Sequence, residues 1–119
     1  MYNHMLRSVE EIETPKSIPG IEHVYHLYVI MCEQRDKLQQ FLKDNGVATG
    51  IHYPLPLHLQ KPLKVFGYQK GDFPCTETNS KRILSLPIYP ELGEEQFNRI
   101  VKLIKQFLAK ESNKLCEYC

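Results

Sequence analysis

The sequence has no long hydrophobic run, no excess of one charge, no regular cysteine framework and no glycine-rich phosphate loop. Each absence removes a class of protein. The longest apolar stretch, Leu27 to Cys32, is far too short to cross a bilayer and suits a buried strand. The N-terminal residues MYNHMLRSVEEIETPKSIPG carry charges instead of an apolar secretory core, so the expected location is cytoplasmic. Fifteen basic side chains balance fourteen acidic ones to give a net charge of +1. That balance lacks the clustered positive face that nucleic acid or an anionic membrane would require, so neither is an expected partner. The four cysteines, Cys32, Cys75, Cys116 and Cys119, are scattered. Cys116 and Cys119 form one C-x-x-C with no second pair to complete a zinc site, and are expected as free thiols on a flexible end. Cys32 and Cys75 are expected to fill apolar space.

What is present fits one small globular domain. The 119 residues are 42% hydrophobic and 24% charged, close to ordinary globular proportions. Residues 1–18, with weak periodicity, read as a linker or the remnant of an upstream element, punctuated by Pro15, Pro19 and Gly20. Residues 19–110 read as the domain and 111–119 as a flexible tail. Within the domain, HVYHLYVIM at 23–31 is rich in β-branched and aromatic residues and predicts a strand. Residues 33–45 place Leu38, Phe41 and Leu42 at helical spacing, with Gly46 as the left-handed residue that ends the helix. VATGIH at 47–52 predicts a second strand with a bulge or close approach at Gly50. The segment 52–63 carries Pro54, Pro56 and Pro62 and predicts a stiff loop, with a short helix from Leu63 to Phe66 after it. A helix starting near Pro74, capped by Asp72 or Thr76, runs to about Ile83, and LSLPIYP at 84–90 begins as a strand. The last helix carries the apolar stripe Phe97, Ile100, Val101, Ile104, Phe107 and Leu108, with Gly93 as N-cap. Strands and helices in this order predict an α+β fold, a short sheet with helices packed on it.

The chemistry-bearing residues concentrate in Gly50-Ile51-His52-Tyr53-Pro54 and Pro56-Leu57-His58. Two imidazoles and a phenol on a proline-stiffened loop suit a polar ligand with ring faces and oxygen groups. The same residues could instead cap a strand edge and pack on the core. A metal site is not expected, because no H-E-x-x-H occurs and His23 and His26 would face opposite sides of a strand. No G-x-S-x-G elbow supports a hydrolytic triad. Tyr89, between Pro87 and Pro90, could reach a cleft or anchor the final helix.

The succession HVYHLYVI (23–30), RDKLQQFLKDNGVATGIHYPLPLHLQ (35–60), GYQKGDFP (67–74) and LSLPIYPELGEEQ (84–96) closely resembles the C-terminal part of the DegT/DnrJ/EryC1/StrS sugar aminotransferases, over about residues 19 to 108. The resemblance implies the small C-terminal domain of the aspartate-aminotransferase (fold type I) architecture. It implies an intact enzyme that uses pyridoxal 5'-phosphate (PLP) to move an amino group from glutamate or glutamine onto a nucleotide-linked keto sugar, typically as a homodimer. It also implies that His52, Tyr53 and His58 line the sugar-nucleotide cleft. No lysine stands in the family's Ser-x-x-x-x-Lys context, so no catalytic residue is expected here, no PLP is expected on this chain alone, and the isolated chain is expected to be inactive. The expected partner is the missing N-terminal large domain or a separately encoded equivalent. The alternative is a free-standing, non-catalytic module that binds a sugar nucleotide.

Overall fold

A computed structural model describes residues 1–116, with side chains through Glu111. At its centre are two short antiparallel strands, β1 (Tyr28–Met31) and β2 (Ile83–Leu86), in the register Tyr28–Leu86, Val29–Ser85, Ile30–Leu84 and Met31–Ile83. Single bridges widen the pair on both sides: Glu13 joins Met31, and Gly50 joins Ser85. Tyr28 and Ile30 alternate inward along β1, whereas Leu84, Ser85 and Leu86 of β2 are all buried. That pattern marks β2 as covered on both faces.

The strands are shorter than their composition predicts, and each loss has a local cause. Residues 23–27 do not join the sheet. Tyr25 turns into the left-handed region at φ 48°, its N–H donates to His23 Nδ1 at 2.9 Å, and the two rings stack 4.2 Å apart. A side chain thereby takes the donor that a ladder would have used. The expected strand at 47–52 contracts to the Gly50 bridge, and Pro54 and Pro56, which lack an N–H, follow at once. β2 stops before Pro87 for the same reason.

The helices follow the sequence more closely. α2 (Arg35–Asp44) buries Leu38 and Leu42 completely. Gly46 ends it at φ 74°, with Gly46 N–H donating to the Lys43 carbonyl and Val47 N–H to the Leu42 carbonyl, a Schellman closure with Val47 buried beside Leu42. α3 (Pro74–Arg82) begins with Pro74, but neither Asp72 nor Thr76 caps it; Asp72 instead accepts from the Gln69 N–H at 2.8 Å. Before it lie two 3-10 turns, Leu57–Leu59 and Lys61–Phe66. α4 (Glu94–Cys116) starts at Gly93, whose carbonyl accepts from Phe97 N–H and whose own N–H donates to Gln96 Oε1 at 2.8 Å, one half of a capping box. Its stripe packs on α2, with Phe41 and Phe107 ring centroids 5.7 Å apart and the Lys110 ammonium over Phe41. The helix continues through residues expected as tail, and the Cys116–Cys119 pair lies outside the residues whose side chains are described.

Residues 1–18 pack against the rest of the domain. α1 (Tyr2–Leu6) buries Tyr2 and Leu6, and Ile12 is buried behind it. The Tyr2 ring sits between Tyr28 and Phe97, with centroids 4.7 and 4.6 Å away, and its hydroxyl donates to the Pro87 carbonyl at 2.9 Å. Burial pushes the Tyr28 phenol up to about 12, so it stays protonated and donates to Asn3 Oδ1. Arg82 pairs with Glu13, and its Nε lies 2.6 Å from Glu33 without the alignment of a hydrogen bond. The segment read as a linker or upstream remnant therefore supplies part of the core. Cys32 is buried as expected, and burial raises its thiol pKa; Cys75 is exposed on α3 and fills no apolar space.

Candidate functional site

The loop between Gly50 and α3 leaves the sheet at a fixed point. Gly50 and Ser85 exchange backbone hydrogen bonds of 3.1 and 2.7 Å. The His52 ring folds back over Gly50, and a Cβ at that position would stand 2.6 Å from His52 Cε1. With the ring in this position, a side chain at residue 50 would have to displace it. His52 Nδ1 lies 2.8 Å from Ser85 Oγ. Tyr53 follows, 70% exposed, with its ring edge-on to His52 at 5.7 Å.

His52 and Tyr53 line a groove of about 390 Å³ whose other walls include Leu55, Leu57, Gln60 and, from α3, Thr76 and Asn79. The walls are mainly apolar with several convergent polar groups, the usual character of a small-molecule site. His58 is not part of it. Its side chain is buried behind the loop, with Nε2 3.0 Å from Glu77 Oε1 and its ring 4.8 Å from Phe73. Glu77 also accepts from the Gly71 N–H at 2.7 Å. That N–H first, and the His58 imidazole second, hold the Glu77 carboxyl below the usual carboxylate range. The structure therefore divides the three predicted residues: His52 and Tyr53 face the groove, while His58 ties the 3-10 turns to α3. Sequence reasoning missed Ser85 and Glu77. A serine between two leucines of a strand is a visible oddity; Glu77 is one acid among several and carries no such mark.

A second groove, of about 480 Å³, runs between the end of α2 and the start of α4, where Arg99 donates to the Asn45 carbonyl at 2.6 Å. Tyr89 lies on its wall with Leu92 and Ile100, so it reaches a groove. Among the described residues, no group of three or more histidine, cysteine or acidic side chains could hold a metal ion, and no helix is long and apolar enough to cross a membrane.

Comparison with known proteins adds to this geometry. The sequence of the DegT/DnrJ/EryC1/StrS aminotransferase family matches over residues 1–105. The chain belongs to that family. The match begins at the first residue, in keeping with the burial of Tyr2 and Leu6. Within the family, the chain is 48% identical over 96 residues to a pleiotropic regulatory protein of Geobacillus stearothermophilus, covering 81% of this chain and 26% of that protein. It is 37% identical over 99 residues to a UDP-N-acetyl-3-dehydro-alpha-D-glucosamine 3-aminotransferase of Acidithiobacillus ferrooxidans, covering 82% of this chain and 26% of that enzyme. The crystal structure of S. venezuelae DesV in complex with a ketimine intermediate superposes with a TM-score of 0.85 at 31% identity, over 89% of this chain and 29% of that one. The chain thus has the α+β small-domain fold of the family's sugar aminotransferases and spans little more than a quarter of the length of these relatives.

The residues present do not fit PLP, the cofactor of such aminotransferases. A Schiff-base lysine must be partly desolvated and aimed into a cleft. Every lysine whose side chain is described is exposed, and none lines either groove.

Proposed function

We propose that these 119 residues form the C-terminal small domain of a PLP-dependent nucleotide-sugar aminotransferase and do not transaminate by themselves. In the whole enzyme, glutamate or glutamine gives up its amino group and becomes the corresponding 2-oxo acid, while the ketone of a nucleotide-linked sugar becomes an amine. The A. ferrooxidans relative, named for a 3-dehydro sugar carried on UDP, supports this substrate class. The observation that carries the reading is the His52–Tyr53 groove on a domain that spans about a quarter of each relative. His52 and Tyr53 contact the sugar nucleotide; His58 holds their loop from behind through Glu77. The cofactor and its lysine belong to the remaining three quarters of the enzyme, and the working cleft forms where that portion, in a homodimer, meets this one.

Complementation tests this. The 119-residue protein is mixed with the A. ferrooxidans relative truncated to remove its matching region, and amino transfer from glutamate to the UDP keto sugar is followed. Activity in the mixture, with none from either part alone, is the expected result. Failure of this chain under conditions where the relative's own excised region restores activity overturns the proposal. The isolated protein is also expected to emerge colourless from gel filtration after incubation with PLP; retained yellow colour contradicts the assignment of the cofactor to the other portion.

A further inference from the structure

The His52 ring is tied to strand β2 beside its loop. Ser85 is buried in β2 between the core residues Leu84 and Leu86, and its backbone is paired both ways with Gly50. Its hydroxyl has one hydrogen-bond partner among the described residues, His52 Nδ1 at 2.8 Å. A buried hydroxyl proton needs an acceptor, and leaving it without one is costly. If Nδ1 carried the imidazole proton, it would donate to Oγ, and the serine proton would have no acceptor among the described residues. The serine therefore donates. A neutral imidazole has a single N–H, so that proton sits on Nε2, across the ring from Ser85.

We propose that Ser85 is a positioning residue that fixes neutral His52 as its Nε2–H tautomer, so that the imidazole offers a hydrogen-bond donor on the side away from Ser85. Gly50 is the second part of the device. It lacks the Cβ that would meet the ring at 2.6 Å, and so lets the imidazole lie close enough for the Ser85 contact. A donor of this kind selects an oxygen lone pair on the ligand and disfavours a ligand N–H at the same place. The identity of that ligand rests on the function proposed above; the tautomer does not, because strand β2 and the Gly50 bridge set it within this chain.

Nitrogen NMR on the 119-residue protein reads the tautomer directly. The His52 signals are assigned by their loss in His52→Gln, and long-range proton–nitrogen correlations are recorded well above the ordinary imidazole range. The expected pattern has a pyridine-like Nδ1 and a pyrrole-like Nε2. In Ser85→Ala the two shifts should move toward each other as the other tautomer becomes populated, and Ser85→Thr, which keeps the hydroxyl, should restore them. Gly50→Ala leaves the serine in place but displaces the ring, and should give the same loss, which keeps the test open if Ser85→Ala does not fold. A pyrrole-like Nδ1 in the parent protein, or His52 shifts unmoved in folded Ser85→Ala or Gly50→Ala, overturns the proposal. Either result leaves the complementation experiment standing on its own.

Discussion

Three side chains that sequence alone treats as equals have different fates in the fold. His52, Tyr53 and His58 all sit on a proline-stiffened loop, but only the first two reach the groove; His58 is drawn inward because Glu77 offers it a carboxylate 3.0 Å away and Phe73 a ring face. Which partner a histidine finds depends on what the chain brings back nineteen residues later, and no local pattern carries that. The Glu77 carboxylate has its own signature. Its pKa is depressed in the fold, first by the Gly71 N–H and then by His58. A carboxylate whose folded pKa lies below its unfolded value contributes stability above the ordinary carboxylate range, and that contribution disappears as pH falls through the folded value. Thermal unfolding followed from neutral pH into acid should therefore show wild type above Glu77→Gln at neutral pH, with the gap closing as the solution becomes acid. A gap that is constant or widens in acid would mean that Glu77 is not held as the anion.

At the scale of elements, legibility tracked how local the determinants are. α2 and α4 could be placed from the spacing of Leu38, Phe41 and Leu42 and of Ile100, Ile104 and Phe107, because helical hydrogen bonds stay within the segment. Gly46 could be placed as a helix end for the same reason. The strands could not be bounded, since a strand exists only where a partner lies alongside: HVYHL has strand composition but closes on itself at Tyr25, and VATGIH meets Ser85 at one residue only. α1 was invisible because five residues show too little periodicity, although packing makes Tyr2 and Leu6 core. That last point is open to measurement. Leu6 is 1% exposed, so Leu6→Ala should lower the unfolding free energy by about 2–5 kcal/mol, the range for a buried leucine truncated in a core. Leu42→Ala, in a helix whose place in the core was legible, should fall in the same range. A loss well under 1 kcal/mol for Leu6→Ala in chemical denaturation, beside a full loss for Leu42→Ala, would return residues 1–18 to the status of a linker.

The whole molecule is unevenly finished. Seven of the twelve large hydrophobic residues that are exposed, among the described ones, fall between Tyr53 and Phe73, including Leu57, Val65 and Phe66 at 66%, 80% and 67% exposure. The opposite arrangement holds around α2 and α4, where the apolar stripes face each other and charge faces outward. A soluble monomer rarely concentrates apolar side chains in one loop region unless something covers them. Under the proposed function the cover is the rest of the aminotransferase; in a preparation of this chain alone, the surface available to cover it is a second copy of itself. Sedimentation velocity across a range of concentrations should then show reversible self-association. Val65→Glu with Phe66→Glu places charge on the second 3-10 turn, outside the His52–Tyr53 groove and where neither side chain is buried, so helix content by circular dichroism should stay unchanged while association weakens. The same double variant should also reduce complementation of the truncated relative, because one surface is being asked to serve both contacts. If the variant stays as associated as the parent, the copies meet elsewhere; if it dissociates but complements in full, the 53–73 surface is not where the remainder of the enzyme docks.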